Sequence, residues 1–327
     1  MHKDIYIAWV PFQRRLDSMQ PFFGYQTFYV VSQVSSPRLK LLDYLIKSAK
    51  TVQIILSNRP KVIWLQLPPT FLVHLVMIAC ALSGIRARIV LDCHNATFRG
   101  FWSKIPGLRA LMRRADACVV HNEEVVADCA AMGVAPTRIV VLEDPPAPFT
   151  DVATSGHDYI LVPCSFHDDE PIHELLDAAR LLVGRKFYIT GNRARAESKG
   201  FVAQAPDNVV FTGFVPTEEF DSLLRNAGLV LGLTKYEGIQ LSVANEAVGA
   251  GQALVLSRTV ILQKLFSEAA IFCENTAQGL ADAVHAGFAN REELVARSRA
   301  LKLESTRSWE TGAARLRADL HSGENGR

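Results

Sequence analysis

LVLGLTKYEGIQLSVANEAVGAGQALVLS, residues 229–257, decides how this chain is read. An apolar run at 229–233 enters a polar turn carrying Glu237. A helical pattern at 242–250 carries Glu246, and Gly251 then precedes a second apolar run at 253–256. Strand, turn, helix and strand in this order place the turn at the carboxyl edge of a parallel sheet, where open α/β sheets bind ligands. The helix is expected to start near Leu241, so its unpaired N–H groups and its dipole face the same edge and suit a phosphate. Two carboxylates can hold sugar hydroxyls while the helix end holds a diphosphate, and a nucleotide sugar needs both. The alternative is a solvated loop acid at Glu237 and an ordinary helix acid at Glu246.

Outward from this stretch, strand-like and helical runs alternate. Strands are expected at 5–10, 27–31, 62–66, 87–92, 117–121 and 138–142, with helices at 37–56, 70–83, 107–115 and 122–132 between them. Residues 144–156, DPPAPFTDVATSG, lack periodicity and read as a linker. The alternation then resumes. Strands are expected at 159–163, 186–190, 208–211, 229–233, 253–256 and 270–273, and helices at 171–183, 217–226, 242–250 and 277–286. Thr217 is expected to cap its helix. A last helical stretch at 291–320 is expected to break near Ser305–Ser308. Strands separated by helices imply parallel, doubly wound sheets. The domains are therefore expected at 1–148 and 149–305, with a terminal helix at 306–327.

The chain of 327 residues is 49% hydrophobic and 21% charged, which permits large cores. A net charge of +2 gives no footprint for nucleic acid. Six scattered cysteines without a CxxC pair read as reduced core thiols of a cytoplasmic protein. No leader pattern is seen, since MHKDIYIAWV runs directly into a strand. The uncharged run 62–85 is split by Pro68 and Pro69. Its helical part at 70–83 reaches about 21 Å, short of the ~30 Å hydrocarbon core.

Glu237-Gly238-Ile239, Glu246-Ala247, Gly251 and the run 253–256 resemble the donor-sugar motif of retaining glycosyltransferases with the GT-B fold, in the group 1, family 4-like branch of bacterial polysaccharide synthesis. The stretches 165–171, 188–192 and 212–214 resemble the same branch. The resemblance implies two Rossmann-like domains facing a central cleft, the first on the acceptor side and the second holding the donor. It implies a sugar transferred from a nucleotide-diphosphate donor to a glycan or lipid-linked acceptor. No metal and no cofactor besides that donor substrate are implied. Carried onto this chain, His94 and Glu237 would be catalytic. Ser165, His167, Thr190, Gly191, Asn192, Gly213, Lys235, Gly238, Ile239, Gln240, Leu241 and Glu246 would bind the donor.

Several features depart from the family pattern. Eight residues separate the glutamates instead of seven, which a bulge ahead of the helix would absorb. Gln240 and Ser242 replace the usual Gly and Pro. The Gly-rich turn after the first strand is missing, and Arg14 and Arg15 stand nearby as holders of an acidic or pyrophosphate-bearing acceptor, or as a solvated loop. The Arg and Lys usual after the first strand of the second domain are also missing; Lys235, Arg193 and Arg195 are the substitutes, Lys235 foremost. Asp168 and Asp169 lack a third ligand spaced for a metal. Phe98, Arg99, Phe101, Trp102 and Lys104 interleave rings and cations, suiting either an anionic membrane surface, with the enzyme peripheral at the inner face, or a loop over the crevice. Two other readings stay open: a nucleotide-sugar epimerase of the same fold, and a non-catalytic partner subunit.

Overall fold

The computed structural model describes residues 4–32, 36–147, 149 and 158–322. It divides into two compact units, residues 1–145 with 307–327, and residues 146–306. Most of the linker expected at 144–156 lies outside the described residues.

In the N-terminal unit the elements are β1 (Ile5–Ala8), α1 (Arg14–Phe23), β2 (Gln26–Tyr29), α2 (Lys40–Asn58), β3 (Val62–Leu67), α3 (Leu72–Ser83), β4 (Arg88–Cys93), α4 (Leu108–Met112), β5 (Ala117–Val120), α5 (Glu124–Ala131) and β6 (Ile139–Val141). The strands form a six-stranded sheet in the order β2-β1-β3-β4-β5-β6, and the paired strands are parallel. Strand side chains alternate between faces. Ile5, Ile7, Ile63 and Leu65 join one core with Ile54 and Ile55 of α2 and Val73 and Val76 of α3. Tyr6, Ala8, Val62 and Trp64 join the opposite core with Leu16 and Met19 of α1. Both faces are covered, so β3 is buried along its whole length.

In the C-terminal unit follow β7 (Tyr159–Pro163), α6 (Ile172–Leu181), β8 (Lys186–Thr190), α7 (Arg193–Ser198), α8 (Phe201–Gln204), β9 (Val209–Gly213), α9 (Thr217–Asn226), β10 (Leu229–Gly232), α10 (Ser242–Ala250), β11 (Leu254–Ser257), α11 (Val260–Phe266), β12 (Ala270–Cys273) and α12 (Ala277–Ala289). Its six strands are ordered β12-β11-β10-β7-β8-β9, again with parallel pairs. The order reverses beside β7, which makes the β10–β7 boundary a topological switch point. Ile160, Val162, Phe187 and Ile189 pack with α6 and α12, whereas Leu161, Val230 and Leu254 pack with α10 and α11.

The structure corrects four local expectations. Residues 14–23 form a helix that contains Pro21. It is held in place because Leu16, Met19 and Phe23 enter the core at helical spacing. The last helix, α13 (Arg291–His321), runs unbroken through Ser305–Ser308, where neither Gly nor Pro interrupts it. Trp309 on this helix packs edge-on against Phe22 and Phe23, and its indole N–H donates to the Glu143 carbonyl at 3.0 Å. Thr217 is the first helical residue of α9, with Pro216 at the cap position and no side-chain cap. Helices α7, α8 and α11 are too short for the periodicity to announce them.

Candidate active site

In the N-terminal unit, the carboxyl ends of β3, β4 and β5 deliver Gln66, Asp92, His94 and His121 to one edge of the sheet. Asp92 is fully buried. Tyr6 Oη donates to its Oδ2, Arg15 Nε lies 3.3 Å from Oδ2, and His121 Nε2 lies 3.4 Å from Oδ1. Arg15 also reaches Asp144 Oδ1 at 2.6 Å and donates to the Leu142 carbonyl at 2.8 Å. Burial pushes the Asp92 carboxyl up, but the Arg15 guanidinium and His121 outweigh it and hold the acid well below the ordinary range. Asp144 is lowered by the same two partners against the same burial. Burial and the Asp92 charge push Tyr6 well above its ordinary value, so it stays a neutral donor.

His94 stands on this frame. Its ring meets that of His121 at 4.2 Å between centroids, inclined by 64°. Its Nε2 lies 2.6 Å from Gln13 Nε2 and 3.3 Å from Gln66 Nε2. With these amides donating, Nε2 is the acceptor and Nδ1 carries the proton. Burial, and then the neighbouring His121, lower its pKa to about 4, so the ring is neutral at pH 7. The amide oxygens of Gln13 and Gln66 are both buried with no hydrogen-bond partner among the described residues. Buried acceptors of this kind are costly unless a donor arrives.

Ligand atoms of Asp92, His94 and His121 lie within 4.8 Å of one another, a spacing a metal ion could bridge. The donor set does not fit one, because Arg15 and Tyr6 already occupy Asp92. A divalent ion there would face a fixed guanidinium.

Arg15 is therefore not a surface cation waiting for an acceptor, as its sequence position suggested: it is 4% exposed and spent on Asp92, Asp144 and Leu142. Arg14, half-buried on the same helix, stacks over Phe12 at 5.3 Å. Among the aromatic and basic residues of 98–104, Phe98 packs against the core and Trp102 against Phe71, leaving Arg99, Phe101 and Lys104 exposed.

In the C-terminal unit, adjacent parallel strands β10, β7, β8 and β9 bring the segments that follow them to one carboxyl edge. After β7, the Glu170 carboxylate accepts from the Ser165 amide at 2.9 Å, the Ser165 hydroxyl at 3.0 Å and the His167 amide at 3.2 Å. Phe166 between them has φ 57° and is buried. After β8, Gly191 has φ +132°, and a Cβ there would lie 1.9 Å from the Cys164 carbonyl oxygen, so only glycine fits. Its amide donates to the Gly213 carbonyl at 3.1 Å. Asn192 accepts from the Arg195 amide at 3.0 Å and so caps α7. Arg195 then turns its guanidinium to the β7 segment, with Nη1 3.0 Å from the Ser165 carbonyl and 3.1 Å from His167 Nε2. Thr190, at the end of β8, is buried.

After β10 come Lys235, Glu237 and the irregular stretch 238–241, which absorbs the long spacing between the glutamates before α10 begins at Ser242. Lys235 pairs with Glu174 at 3.4 Å. Glu237 is exposed and accepts from the Val260 amide at 2.9 Å, so it sits at the N-terminus of α11. Gly238 adopts φ 72°, and Ile239, Gln240 and Leu241 are half-buried. Leu241 at the cap position of α10 has no side-chain acceptor for its first amides. Glu246 is half-buried on α10. Asp168 pairs with Lys199, while Asp169 accepts from the Thr234 hydroxyl at 3.3 Å.

Sequence reading missed the support beneath this edge. Thr234 is fully buried; its amide donates to Ser257 Oγ at 2.9 Å and its carbonyl accepts from Asn275 at 2.9 Å. Ser257 Oγ donates to Asn275 Oδ1 at 2.7 Å, closing the set. Small polar residues at the ends of three adjacent apolar strands were the available signal.

The chain matches the family described as glycosyl transferase 4-like domain over residues 24–144, and the family described as glycosyl transferases group 1 over residues 157–290. No curated protein matches it. Among solved structures, HepE of Anabaena in complex with UDP and glucose superposes with a TM-score of 0.71 at 13% identity, covering 98% of this chain and 100% of that one. Sucrose-phosphate synthase of Thermosynechococcus elongatus gives 0.65 at 15% identity, covering 96% and 87%. A putative UDP-N-acetylglucosamine 2-epimerase of Listeria monocytogenes gives 0.63 at 14%, covering 100% and 97%. Likeness at this identity shows the fold, which transferase and epimerase share. The two domain matches, on a pair of parallel six-stranded sheets, make the chain a glycosyltransferase of the GT-B fold.

Proposed function

We propose that this GT-B glycosyltransferase takes a sugar from a nucleoside-diphosphate donor and passes it, with retention at the anomeric carbon, to a glycan or lipid-linked acceptor in bacterial surface polysaccharide or glycolipid synthesis. The observation that carries the reading is the carboxyl edge of the C-terminal sheet, where the start of α10, the Arg195 guanidinium and the Ser165 and His167 amides gather after consecutive strands. As the glycosidic bond breaks, negative charge grows on the diphosphate, and fixed amides with a cation stabilise it more than they stabilise the bound donor. Glu170 already holds two of those amides with a carboxylate, in the manner of a phosphate oxygen. Arg195 takes the part that sequence reading gave first to Lys235, because it lies against the β7 segment whereas Lys235 is held by Glu174. Glu237 and Glu246 bind hydroxyls of the donor, Glu237 on the transferred sugar and Glu246 on the ribose side. Thr190, Gly191, Asn192 and Gly213 shape the nucleotide side, and Gly238 to Leu241 frame the diphosphate.

His94 serves the reacting sugar as a neutral ring with its Nδ1–H as the donor; Gln13 and Gln66 donate their amide N–H groups to its Nε2 and leave their unpartnered carbonyl oxygens for the substrate. UDP-sugar complexes of HepE support a uridine donor. Incubation with UDP-glucose and a glycan primer, followed by product analysis, tests the reading. Transfer of glucose with the α-configuration retained supports it. Conversion of the donor to an epimer without an acceptor would establish the epimerase reading instead.

A further inference from the structure

The loop after β7 is shaped to receive an anion, and one of the chain's own carboxylates already fills it. Phe166 is buried, with its ring 6.3 Å from that of Phe201 and 5.9 Å from that of Phe211. This anchorage holds its backbone at φ 57°, which residues with a side chain seldom adopt, and turns the amides of Ser165 and His167 toward one point. Glu170 Oε1 accepts from the Ser165 amide and hydroxyl, and Oε2 accepts from the His167 amide. Three donors on two oxygens of one anion is a pattern that suits a phosphate group equally well.

The carboxylate can leave without disturbing the loop. The Glu170 amide donates to the His167 carbonyl at 3.2 Å, and the Glu170 carbonyl accepts from the Ile172 amide at 2.9 Å. Its backbone is therefore tied on both sides, and rotation of the side chain alone empties the receptor. Ser165 and His167 are exposed, so an incoming anion reaches their amides from solvent. The cations of the same edge are engaged elsewhere: Lys199 with Asp168, Lys235 with Glu174, and Arg195 with the Ser165 carbonyl and the His167 ring. An N–H donates one hydrogen bond, so Glu170 and a ligand phosphate exclude each other from these amides. A tethered carboxylate competes at a high effective concentration. We propose that Glu170 is an internal competitor of the donor's diphosphate and sets the affinity of this edge by holding the Ser165 and His167 amides until a phosphate displaces it. This rests on the nucleoside-diphosphate donor proposed above and adds the exchange that precedes its binding. The same carboxylate, returning to the amides after transfer, speeds release of the nucleoside diphosphate product.

The experiment is calorimetric titration of UDP into the full-length wild type, Glu170→Gln and Glu170→Ala, with the amide resonances of Ser165 and His167 followed as pyrophosphate is added. Glu170→Ala should bind UDP about tenfold more tightly than the wild type. Glu170→Gln should fall between them, because a neutral amide oxygen competes less well than a carboxylate. Pyrophosphate should move the two resonances at a lower concentration in Glu170→Ala than in the wild type. Should Glu170→Ala melt at a lower temperature, Glu170→Gln decides, and its affinity for UDP must still exceed that of the wild type. Equal or weaker UDP binding by the well-folded variants would overturn the proposal, since Glu170 would then only brace the loop; the donor reading would survive. Resonances that pyrophosphate leaves unmoved in Glu170→Ala would overturn it as well. Movement of both resonances by pyrophosphate in proteins that take no UDP would keep the anion receptor and its competitor and would sink the nucleotide donor.

Discussion

The two carboxyl edges carry polar groups of opposite character. In the N-terminal unit, Asp92, Arg15 and Tyr6 are buried, and each is tied to partners many residues away in sequence. In the C-terminal unit, Lys235, Glu237, Asp168 and Lys199 are exposed and hold each other or nearby amides. The first arrangement fixes one imidazole in one tautomer before any substrate arrives. The second can exchange its internal partners for a ligand at little cost. The first edge is preorganised before any ligand arrives, and the second is adaptable in the way the proposed diphosphate cradle requires.

The largest way to break the contrast is Arg15→Met. It leaves Asp92 and Asp144 without their cation, and loss of one partner of a buried pair costs about 3–5 kcal/mol. Urea denaturation should show a loss of that size, and a change below about 1 kcal/mol would mean that the network is not a buried ion pair in solution.

Next comes Gly191→Ala, where the added methyl meets the Cys164 carbonyl oxygen at 1.9 Å in a backbone conformation of φ +132°. Overpacking and strain together are expected to cost about 2–4 kcal/mol, read as a lower melting temperature with weaker donor binding. Full retention of both would show that the β7 and β8 segments part easily.

A pH effect follows in size. His94 has its pKa lowered from 6.5 to about 4. Between those values the unfolded chain binds a proton that the native ring refuses, so this contribution is complete above about pH 6.5 and is lost as the pH falls towards 4. The loss should reach at most about 3 kcal/mol. Stability measured against pH for wild type and His94→Gln should differ in this window, the variant showing the flatter acid limb. Identical limbs would rule out a lowered pKa at His94.

The smallest stability effect belongs to Lys235→Ala. A partly exposed pair with Glu174 contributes under about 1 kcal/mol, so the melting temperature should barely move. Arg195→Ala should likewise leave the fold intact yet raise the KM for the donor, and more so than Lys235→Ala. The reverse order would return the phosphate role to Lys235.

Most strands were legible because they are short apolar runs, and the ends of β7, β8 and β12 stand where those runs end. Helix α1 was not legible, since Pro21 interrupts a pattern that only its burial against β1 and β3 sustains. The strand, turn, helix and strand that carry Glu237 and Glu246 were legible from local spacing. The partnership of Arg15 with Asp92 was not, because 77 residues separate them and only the sheet brings them together. The same holds for Thr234, Ser257 and Asn275, whose hydroxyl and amide groups meet across neighbouring strands.

Calorimetric titration of UDP-glucose into the wild-type protein and into Glu246→Ala tests the donor site most directly. The account predicts saturable binding by the wild type and affinity about tenfold weaker or worse in the variant, with the fold unchanged by circular dichroism. Equal affinity for the two proteins, with equal turnover, would contradict it.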